Sequence, residues 1–159
     1  IVTITGSGIK EPKNLLVRVG TPVEQLIEEC GGFTEDVRKL IMGGPMMGCA
    51  VPGPEDLPVT KGTCGILCLT TAEVKEYAIQ PCIKCGKCVE VCPMNLMPLF
   101  IASAVEHHMY DKAETYHAAD CIECGCCSYI CPAKRPLTQW IAMAKAEIKA
   151  RRRQAAAAK

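Results

Sequence analysis

Two cysteine runs of nearly the same sequence contain the residues of this chain that are best suited to chemistry. They read CIKCGKCVEVCP at 82–93 and CIECGCCSYICP at 121–132, and both follow the pattern Cys-x2-Cys-x2-Cys-x3-Cys-Pro, 39 positions apart. This spacing is typical of [4Fe–4S] binding, in which three thiolates hold one cluster and the fourth reaches a neighbouring cluster. The runs therefore predict an internal duplication that binds two clusters and transfers electrons.

The duplication also predicts which cysteines share a cluster. The fourth cysteine of each run precedes a proline at the start of a departing segment, so it is expected to bind the cluster of the other run. The first [4Fe–4S] cluster is assigned to Cys82, Cys85, Cys88 and Cys131, and the second to Cys121, Cys124, Cys127 and Cys92. No catalytic residue is predicted, because the sequence shows no nucleophile–base pair and no nucleotide-binding motif.

Structural zinc is the competing interpretation of these runs. Zinc usually takes two separated pairs of ligands, whereas each run here has three closely spaced cysteines and a fourth before proline. Iron in a cubane cluster is soft and prefers four thiolates, which this spacing supplies. The pattern favours iron–sulfur, and an iron content of about eight atoms per chain would separate the two interpretations.

Several cysteines lie outside the assigned ligand sets. Cys126 has Lys87 as its counterpart in the first run, so it is interpreted as a bystander, with a ligand slip to Cys126 left open. Free cysteine is a common small core residue, and this is the role predicted for Cys30, Cys64 and Cys68.

Charged residues beside the two runs predict unequal reduction potentials. Lys84 and Lys87 lie in the first loop, and Lys134 and Arg135 follow its fourth ligand, whereas the second loop contains Glu123. Positive charge favours the reduced, more negative cluster. The first cluster is therefore expected to have the higher potential, by an amount on the order of tens of millivolts after solvent screening.

Composition limits the class of protein. The 159 residues are 49% hydrophobic and 4% aromatic, which supports an aliphatic core. Thirteen cysteines without a recognisable signal peptide favour metal binding in a reducing compartment over disulfides. A formal charge of +1 does not indicate a nucleic-acid surface, and no apolar run approaches the roughly 20 residues of a membrane span. Because the sequence starts at Ile1 within a predicted strand, it is expected to be a piece of a longer polypeptide.

The elements that position the cysteines differ between the two halves of the chain. Residues 1–70 have the pattern of a small α+β module, with strands predicted at Val2–Thr5, Leu15–Val19, Val37–Met42 and Ile66–Thr70. One helix is predicted between the second and third strands, capped by Thr21, with Glu24 completing a capping box.

Residues 71–153 are predicted to be mostly helical. Thr70 and Glu73 form a second capping-box pattern that predicts a short helix toward Ala78. Further helices are predicted at 99–107, at 111–117 and after Pro136, and residues 154–159 are interpreted as a frayed tail. Five apolar side chains are expected to insulate the clusters: Leu96, Leu99, Phe100, Ile101 and Ile130.

Four segments in a fixed order produce a resemblance to a known family. They are GGPMMG, KGTCGILCLT, PCIKCGKCVEVCPMNLMP and CIECGCCSYICPAKRPL, and together they resemble the C subunit of the Rnf electron-transport complex over essentially the whole chain. The resemblance implies that residues 1–70 form a soluble-ligand-binding β-grasp-like module with a following glycine- and proline-rich loop. It also implies that residues 71–153 form a helical ferredoxin-like domain with two [4Fe–4S] clusters.

The resemblance also implies a cellular setting. Such subunits are peripheral proteins on the cytoplasmic face of the cell membrane, in a complex that couples ferredoxin–NAD electron transfer to sodium or proton pumping. The implied partners are other subunits of that complex, with a ferredoxin as a candidate, and no nucleic acid. FMN and NAD are expected only on an upstream domain that is absent from this sequence. The predicted function is to relay single electrons within a ferredoxin–NAD oxidoreductase.

Two other functions stay open at this point. A cobalamin or flavin reductase of the diol-utilisation type shares the arrangement, and a bound corrin would favour it. A freestanding carrier ferredoxin would contain the same cysteine runs, although the long β-rich N-terminal half is not expected in such a carrier.

Overall fold

The computed structural model describes residues 1–157. It divides into two compact units, the first at Ile1–Glu76 and the second beginning at Tyr77. Among the described residues, none of the helices is both long enough and apolar enough to cross a membrane.

The first unit is a five-stranded mixed sheet with one helix. The strands are β1 at Val2–Thr5, β2 at Lys13–Leu15, β3 at Val37–Met42, β4 at Cys49–Val51 and β5 at Gly65–Thr70, and helix α1 spans Val23–Glu29. The sheet order is β2-β1-β5-β3-β4, in which β1 and β5 are parallel and the other neighbours are antiparallel. This arrangement confirms the predicted α+β class.

Side-chain periodicity explains how this unit buries its core. Val2 and Ile4 of β1 are buried while the threonines between and after them are exposed, as expected for a strand with one face inward. Val23, Leu26 and Ile27 of α1 are buried in the same cluster, at the i, i+3 and i+4 spacing that places residues on one face of a helix.

The cysteines of this unit differ in burial. Cys30 and Cys68 are fully buried, as predicted. Cys64 is exposed, so its predicted core position is wrong. It lies immediately before β5, where its carbonyl oxygen accepts the N–H of Thr3 at 3.2 Å.

The buried thiol of Cys68 makes the stability of this unit sensitive to alkaline pH. Burial raises the pKa of Cys68 from its ordinary value of 9.0 to about 11. The unfolded chain therefore loses this proton first, and the free energy of unfolding is expected to fall by about 2 kcal/mol as the pH rises between these values. Urea unfolding followed by far-ultraviolet circular dichroism measures this slope. Cys68→Ala should flatten it and Cys49→Ala, at an exposed position, should not; an unchanged slope in Cys68→Ala would contradict the prediction.

Helix α1 begins without the predicted capping box. The backbone N–H of Val23 donates to the carbonyl oxygen of Leu57 at 2.8 Å, and the carbonyl oxygen of Thr21 accepts the N–H of Val59 at 2.8 Å. No side-chain hydrogen bond caps the helix. The predicted role of Thr21 and Glu24 is wrong because a neighbouring extended segment supplies the backbone partners that a cap would supply.

The second capping-box pattern forms a turn instead of a helix. The carboxylate of Glu73 accepts the N–H of Thr70 at 3.0 Å, but it also accepts the hydroxyl of Ser7. Residues 71–73 form a turn and 74–78 have no regular structure, so the predicted helix toward Ala78 is wrong. Likewise, the strand predicted at 15–19 lies at 13–15, because the register with β1 ends there.

The second unit consists of helices. They are α2 at Lys87–Glu90, α3 at Pro98–Glu106, α4 at Tyr110–Thr115, α5 at Cys126–Ile130 and α6 at Leu137–Ala157, with a 3₁₀ turn at Ala118–Asp120. The helices predicted at 99–107 and at 111–117 are confirmed within two residues at each end, and the helix predicted after Pro136 is confirmed at its start. Helix α6 includes the first alanines of the predicted frayed tail, which suits the strong helix preference of alanine, while residues 158–159 lie outside the described residues.

The duplication extends well beyond the cysteine runs. Helices α2 and α5 start 39 positions apart, and so do α3 and α6. Three pairs of residues at this offset have positive φ in both members. They are Lys84 and Glu123 (+54° and +57°), Gly86 and Gly125 (+78° and +82°), and Asn95 and Lys134 (both +52°). Two halves of different sequence therefore follow the same backbone path.

Helices α3, α4 and α6 pack around a shared aliphatic core. Its fully buried members include Ile101 of α3 and Ile141 and Ala144 of α6. At the surface, Arg151 and Arg152 of α6 form ion pairs with α4, at 2.9 Å to Asp111 and 2.6 Å to Glu114. Exposed pairs of this kind contribute less than about 1 kcal/mol each.

Candidate metal centres

A small cavity lies between the first cysteine run and the start of α6. Four cysteines line it, three from the first run and one from the second: Cys82, Cys85, Cys88 and Cys131. The remaining walls are mostly apolar and include Leu99 and Leu137. The structure thus brings together the four cysteines that were assigned to the first cluster.

A second small cavity has the same construction with the runs exchanged. It is lined by three cysteines of the second run and the last cysteine of the first: Cys121, Cys124, Cys127 and Cys92. Cys126 lines it as a fifth cysteine. Among residues 1–157, no three His, Cys, Asp or Glu side chains lie close enough together to hold a single metal ion. The cysteine thiols therefore line an open space and do not converge on one point.

The two cavities match position by position. All twelve residues that line the first cavity have a counterpart 39 positions away that lines the second. Three of these pairs differ in charge or polarity: Arg135 and Leu96, Lys84 and Glu123, Leu99 and Thr138. The cavities therefore share a backbone and a donor set but differ in their electrostatic surroundings.

Backbone amides point at the cysteine sulfurs at equivalent places. The N–H of Lys84 donates to Cys82 Sγ at 3.4 Å, and the N–H of Glu123 donates to Cys121 Sγ at 3.3 Å. In both cases the donor residue has a positive φ, which turns its amide toward the sulfur. Hydrogen bonds to sulfur favour the negatively charged thiolate, which is the form that binds metal.

Burial acts on the same thiols in the opposite direction. Desolvation raises the pKa values of Cys88, Cys121 and Cys127 above the ordinary value for a thiol. At neutral pH these groups are therefore protonated when no metal is bound, and metal binding releases their protons. Four soft donors in each cavity, amides directed at sulfur and apolar walls together fit a [4Fe–4S] cluster.

Gly86 shows which property of the loop requires glycine. It lines the first cavity with φ +78°, and a Cβ built on it would meet no protein atom within 4 Å. Protein packing does not exclude a side chain here, whereas the left-handed backbone favours glycine.

Comparison with known protein families agrees with this division of the chain. The family model described as SLBB domain matches residues 1–50, and the model described as 4Fe-4S dicluster domain matches residues 81–135. The second match covers both cysteine runs and supports two [4Fe–4S] clusters as the cofactors.

Named relatives match nearly the whole chain. The chain is 53% identical over 152 residues to the C subunit of the Na(+)-translocating ferredoxin:NAD(+) oxidoreductase complex of Acetobacterium woodii, which covers 96% of this chain and 34% of the relative. This chain is similar to part of that protein. The chain is 49% identical over 151 residues to the C subunit of the proton-translocating ferredoxin:NAD(+) oxidoreductase complex of Clostridium ljungdahlii, which covers 94% of this chain and 33% of the relative. The chain is 47% identical over 147 residues to the C subunit of the ion-translocating oxidoreductase complex of Methanosarcina acetivorans, which covers 92% of this chain and 32% of the relative.

These relatives confirm the resemblance that the four sequence segments indicated. They are named as subunits of oxidoreductase complexes that translocate ions, and the chain spans about a third of their length.

Two polar residues of the cluster-binding unit were not found from the sequence. Lys145 of α6 donates to the carbonyl oxygen of Cys121 at 2.7 Å and to the carboxylate of Glu123 at 2.6 Å. The hydroxyl of Thr138 lies 3.6 Å from Cys127 Sγ. Comparing residues 39 positions apart in the helices, as in the cysteine runs, would have indicated both positions.

The expected insulation is only partly present. Leu96 lines the second cavity and Leu99 the first, whereas Ile101 is buried in the core of α3, α4 and α6 and lines neither cavity. Phe100 and Ile130 are 46% and 37% exposed and line neither cavity, so the structure does not place them where they would insulate a cluster. Residues next to a buried position on a helix point in a different direction, which sequence hydrophobicity alone does not show.

Lys145 is expected to stabilise the second cysteine loop and so slow the loss of iron from it. Lys145→Met removes two charge-assisted hydrogen bonds to that loop while keeping the length of the side chain. We expect iron to leave the second cavity about tenfold faster in the presence of a chelator. The measurement is bleaching of the cluster absorbance, with electron paramagnetic resonance to identify which cluster is lost.

Lys149→Met serves as the matched control, because Lys149 lies one turn further along α6 and is exposed. It should release iron at the rate of the unchanged protein. Equal release rates from the two variants would contradict a role of Lys145 in holding the loop.

Proposed function

We propose that this chain relays single electrons through two [4Fe–4S] clusters as part of an ion-translocating ferredoxin:NAD(+) oxidoreductase complex. The observation that carries the proposal is the pair of matched cavities, each lined by three cysteines of one run and the fourth cysteine of the other. The names of the relatives support the setting in such a complex.

The proposed ligands follow the two cavities. Cys82, Cys85, Cys88 and Cys131 would hold the first cluster, and Cys121, Cys124, Cys127 and Cys92 the second. The lining of the cavities and the amides directed at sulfur support this assignment. When bound, a cluster of this type takes up and gives back one electron, while the protein holds it and tunes its potential.

The first cavity is the better candidate for contact with an electron-transfer partner. Cys82 and Cys85 are exposed, whereas Cys121 and Cys124 are only partly exposed. Lys84 in the first loop is also exposed. We propose other subunits of the complex as the partners, with a ferredoxin as a candidate, and a peripheral position on the cytoplasmic face of the cell membrane.

We further propose that residues 1–70 form the soluble-ligand-binding β-grasp-like module and residues 71–153 the cluster-binding domain. The SLBB match at residues 1–50 and the dicluster match at residues 81–135 support this division.

Spectroscopy of the protein purified without oxygen tests the relay function. We expect about eight iron atoms per chain and, after reduction with dithionite, electron paramagnetic resonance signals of two magnetically interacting [4Fe–4S] clusters. Colourless protein with stoichiometric zinc, or a single cluster per chain, would contradict the proposal. Iron content and spectrum are measured on the same sample, so incomplete loading is distinguished from a different metal.

A further inference from the structure

Arg135 is the largest chemical difference between the two matched cavities. It lines the first cavity at the position where its counterpart Leu96 lines the second. Its side chain is only 7% exposed, and within residues 1–157 it is the one charged residue that is buried. Solvent and salt screen a buried charge weakly, so it acts strongly on neighbouring groups.

Two contacts fix the guanidinium at the cavity wall. It forms an ion pair with Glu106 of α3, and its Cζ atom lies 4.8 Å from the ring centroid of Trp140. Glu106 is 38% exposed and borders an open pocket next to the cavity, which Cys82 and Arg135 also border. Since Arg135 lines the cavity and Glu106 does not, the positive end of the ion pair is the end closer to the thiols.

The other differences between the cavities have weaker effects. Lys84 is exposed, so solvent screens it, and the carboxylate of Glu123 is neutralised by Lys145 at 2.6 Å. The hydroxyl of Thr138 can donate to Cys127 Sγ in the second cavity, but it is uncharged and also bonds the hydroxyl of Ser128 at 2.8 Å. Charge-assisted interactions are about twice as strong as neutral ones.

We infer that Arg135 gives the first cluster a higher reduction potential than the second, so that a single electron shared by the pair resides mainly on the first. Reduction adds one electron and one negative charge to a cluster and neither forms nor breaks a bond. A fixed positive charge at the cavity wall stabilises the more negative form. The inference rests on the proposed function, because it requires both clusters to be present.

Replacing Arg135 with the residue at its counterpart position tests the inference. Arg135→Leu is purified without oxygen and titrated with dithionite through redox mediators, with electron paramagnetic resonance as the readout for each cluster. At a fixed potential, the ratio of reduced to oxidised first cluster is expected to fall at least tenfold, which corresponds to about 59 mV for one electron. The second cluster should change less than about twofold.

Arg152→Leu is the control for the loss of one positive charge. Arg152 is exposed, pairs with Glu114 and lines neither cavity, so solvent screens its charge and neither cluster should change its potential. An unchanged first cluster in Arg135→Leu, or an equal shift in the control, would overturn the inference.

A second variant covers the case in which Arg135→Leu fails to retain iron. Glu106→Gln keeps the guanidinium and removes its neighbouring negative charge, so the reduced fraction of the first cluster should increase. No increase would overturn the inference. If the unchanged protein itself lacks two clusters, the proposed function fails instead, and the iron content shows which of the two has failed.

Discussion

Replacing Cys92 with serine is expected to remove the second cluster and leave the first, although Cys92 belongs to the first cysteine run. The structure places Cys92 at the cavity of Cys121, Cys124 and Cys127, while the four cysteines of the other cavity stay in place. Iron content should therefore fall from about eight to about four atoms per chain, with loss of the magnetic interaction between clusters. Iron analysis and electron paramagnetic resonance of protein purified without oxygen measure both effects.

Cys126→Ser provides the matched control in the same cavity. Cys126 lines the second cavity but is not one of the four proposed ligands, so this variant should keep both clusters. Loss of the first cluster in Cys92→Ser would contradict the exchange of the fourth ligand between the runs. Retention of both clusters in Cys92→Ser but not in the double variant with Cys126→Ser would show that Cys126 replaces the missing ligand.

Replacing Gly6 with alanine is expected to destabilise the five-stranded sheet by about 3 kcal/mol or more. Gly6 has φ +112°, and a Cβ at this position would overlap the carbonyl oxygen of Cys68. That oxygen belongs to the central strand β5 and accepts the N–H of Gly8 at 3.0 Å, so moving it away would strain β5 and weaken this hydrogen bond. Urea unfolding followed by far-ultraviolet circular dichroism measures the loss.

Gly20→Ala separates the steric effect from the backbone effect. Gly20 also has a positive φ, of +94°, but a Cβ there would meet no atom within 4 Å. This variant should cost only the conformational penalty, about 1 kcal/mol. Equal destabilisation by the two variants would show that close contact with β5 is not the cause.

Local patterns were sufficient to predict the strongest elements of the fold. β1 occurs at the predicted residues because its apolar and polar side chains alternate with the strand period. β3 also occurs at the predicted residues, although its burial does not alternate and its register with β5 shifts between Val37 and Lys39. The spacing within the cysteine runs led to the same two sets of four cysteines that the structure groups around cavities, since three residues per step place successive thiols on one curved loop. The exchange of the fourth cysteine followed from its position before proline.

Long-range contacts account for most of what the sequence did not show. The sequence contains the residues of a capping box at Thr21 and at Thr70, but neither box caps a helix. The carbonyl oxygen of Leu57 accepts the N–H of Val23 at the start of α1, and the hydroxyl of Ser7 donates to the carboxylate of Glu73. Arg135 was seen only as one of four nearby cations, because burial and its pairing with Glu106 depend on how α3 packs in the second unit. Charge along a sequence does not distinguish a buried guanidinium from an exposed lysine.

The exchange of donors between the two halves has a consequence for the origin of the fold. A single 39-residue repeat would bring only three sulfur donors to its own cubane, so a lone copy would have to associate with another copy to complete either site. Fusion of two copies in one polypeptide makes that association intramolecular. Completion of both sites then no longer depends on protein concentration. The two copies can also come to differ in the charged residues around their clusters.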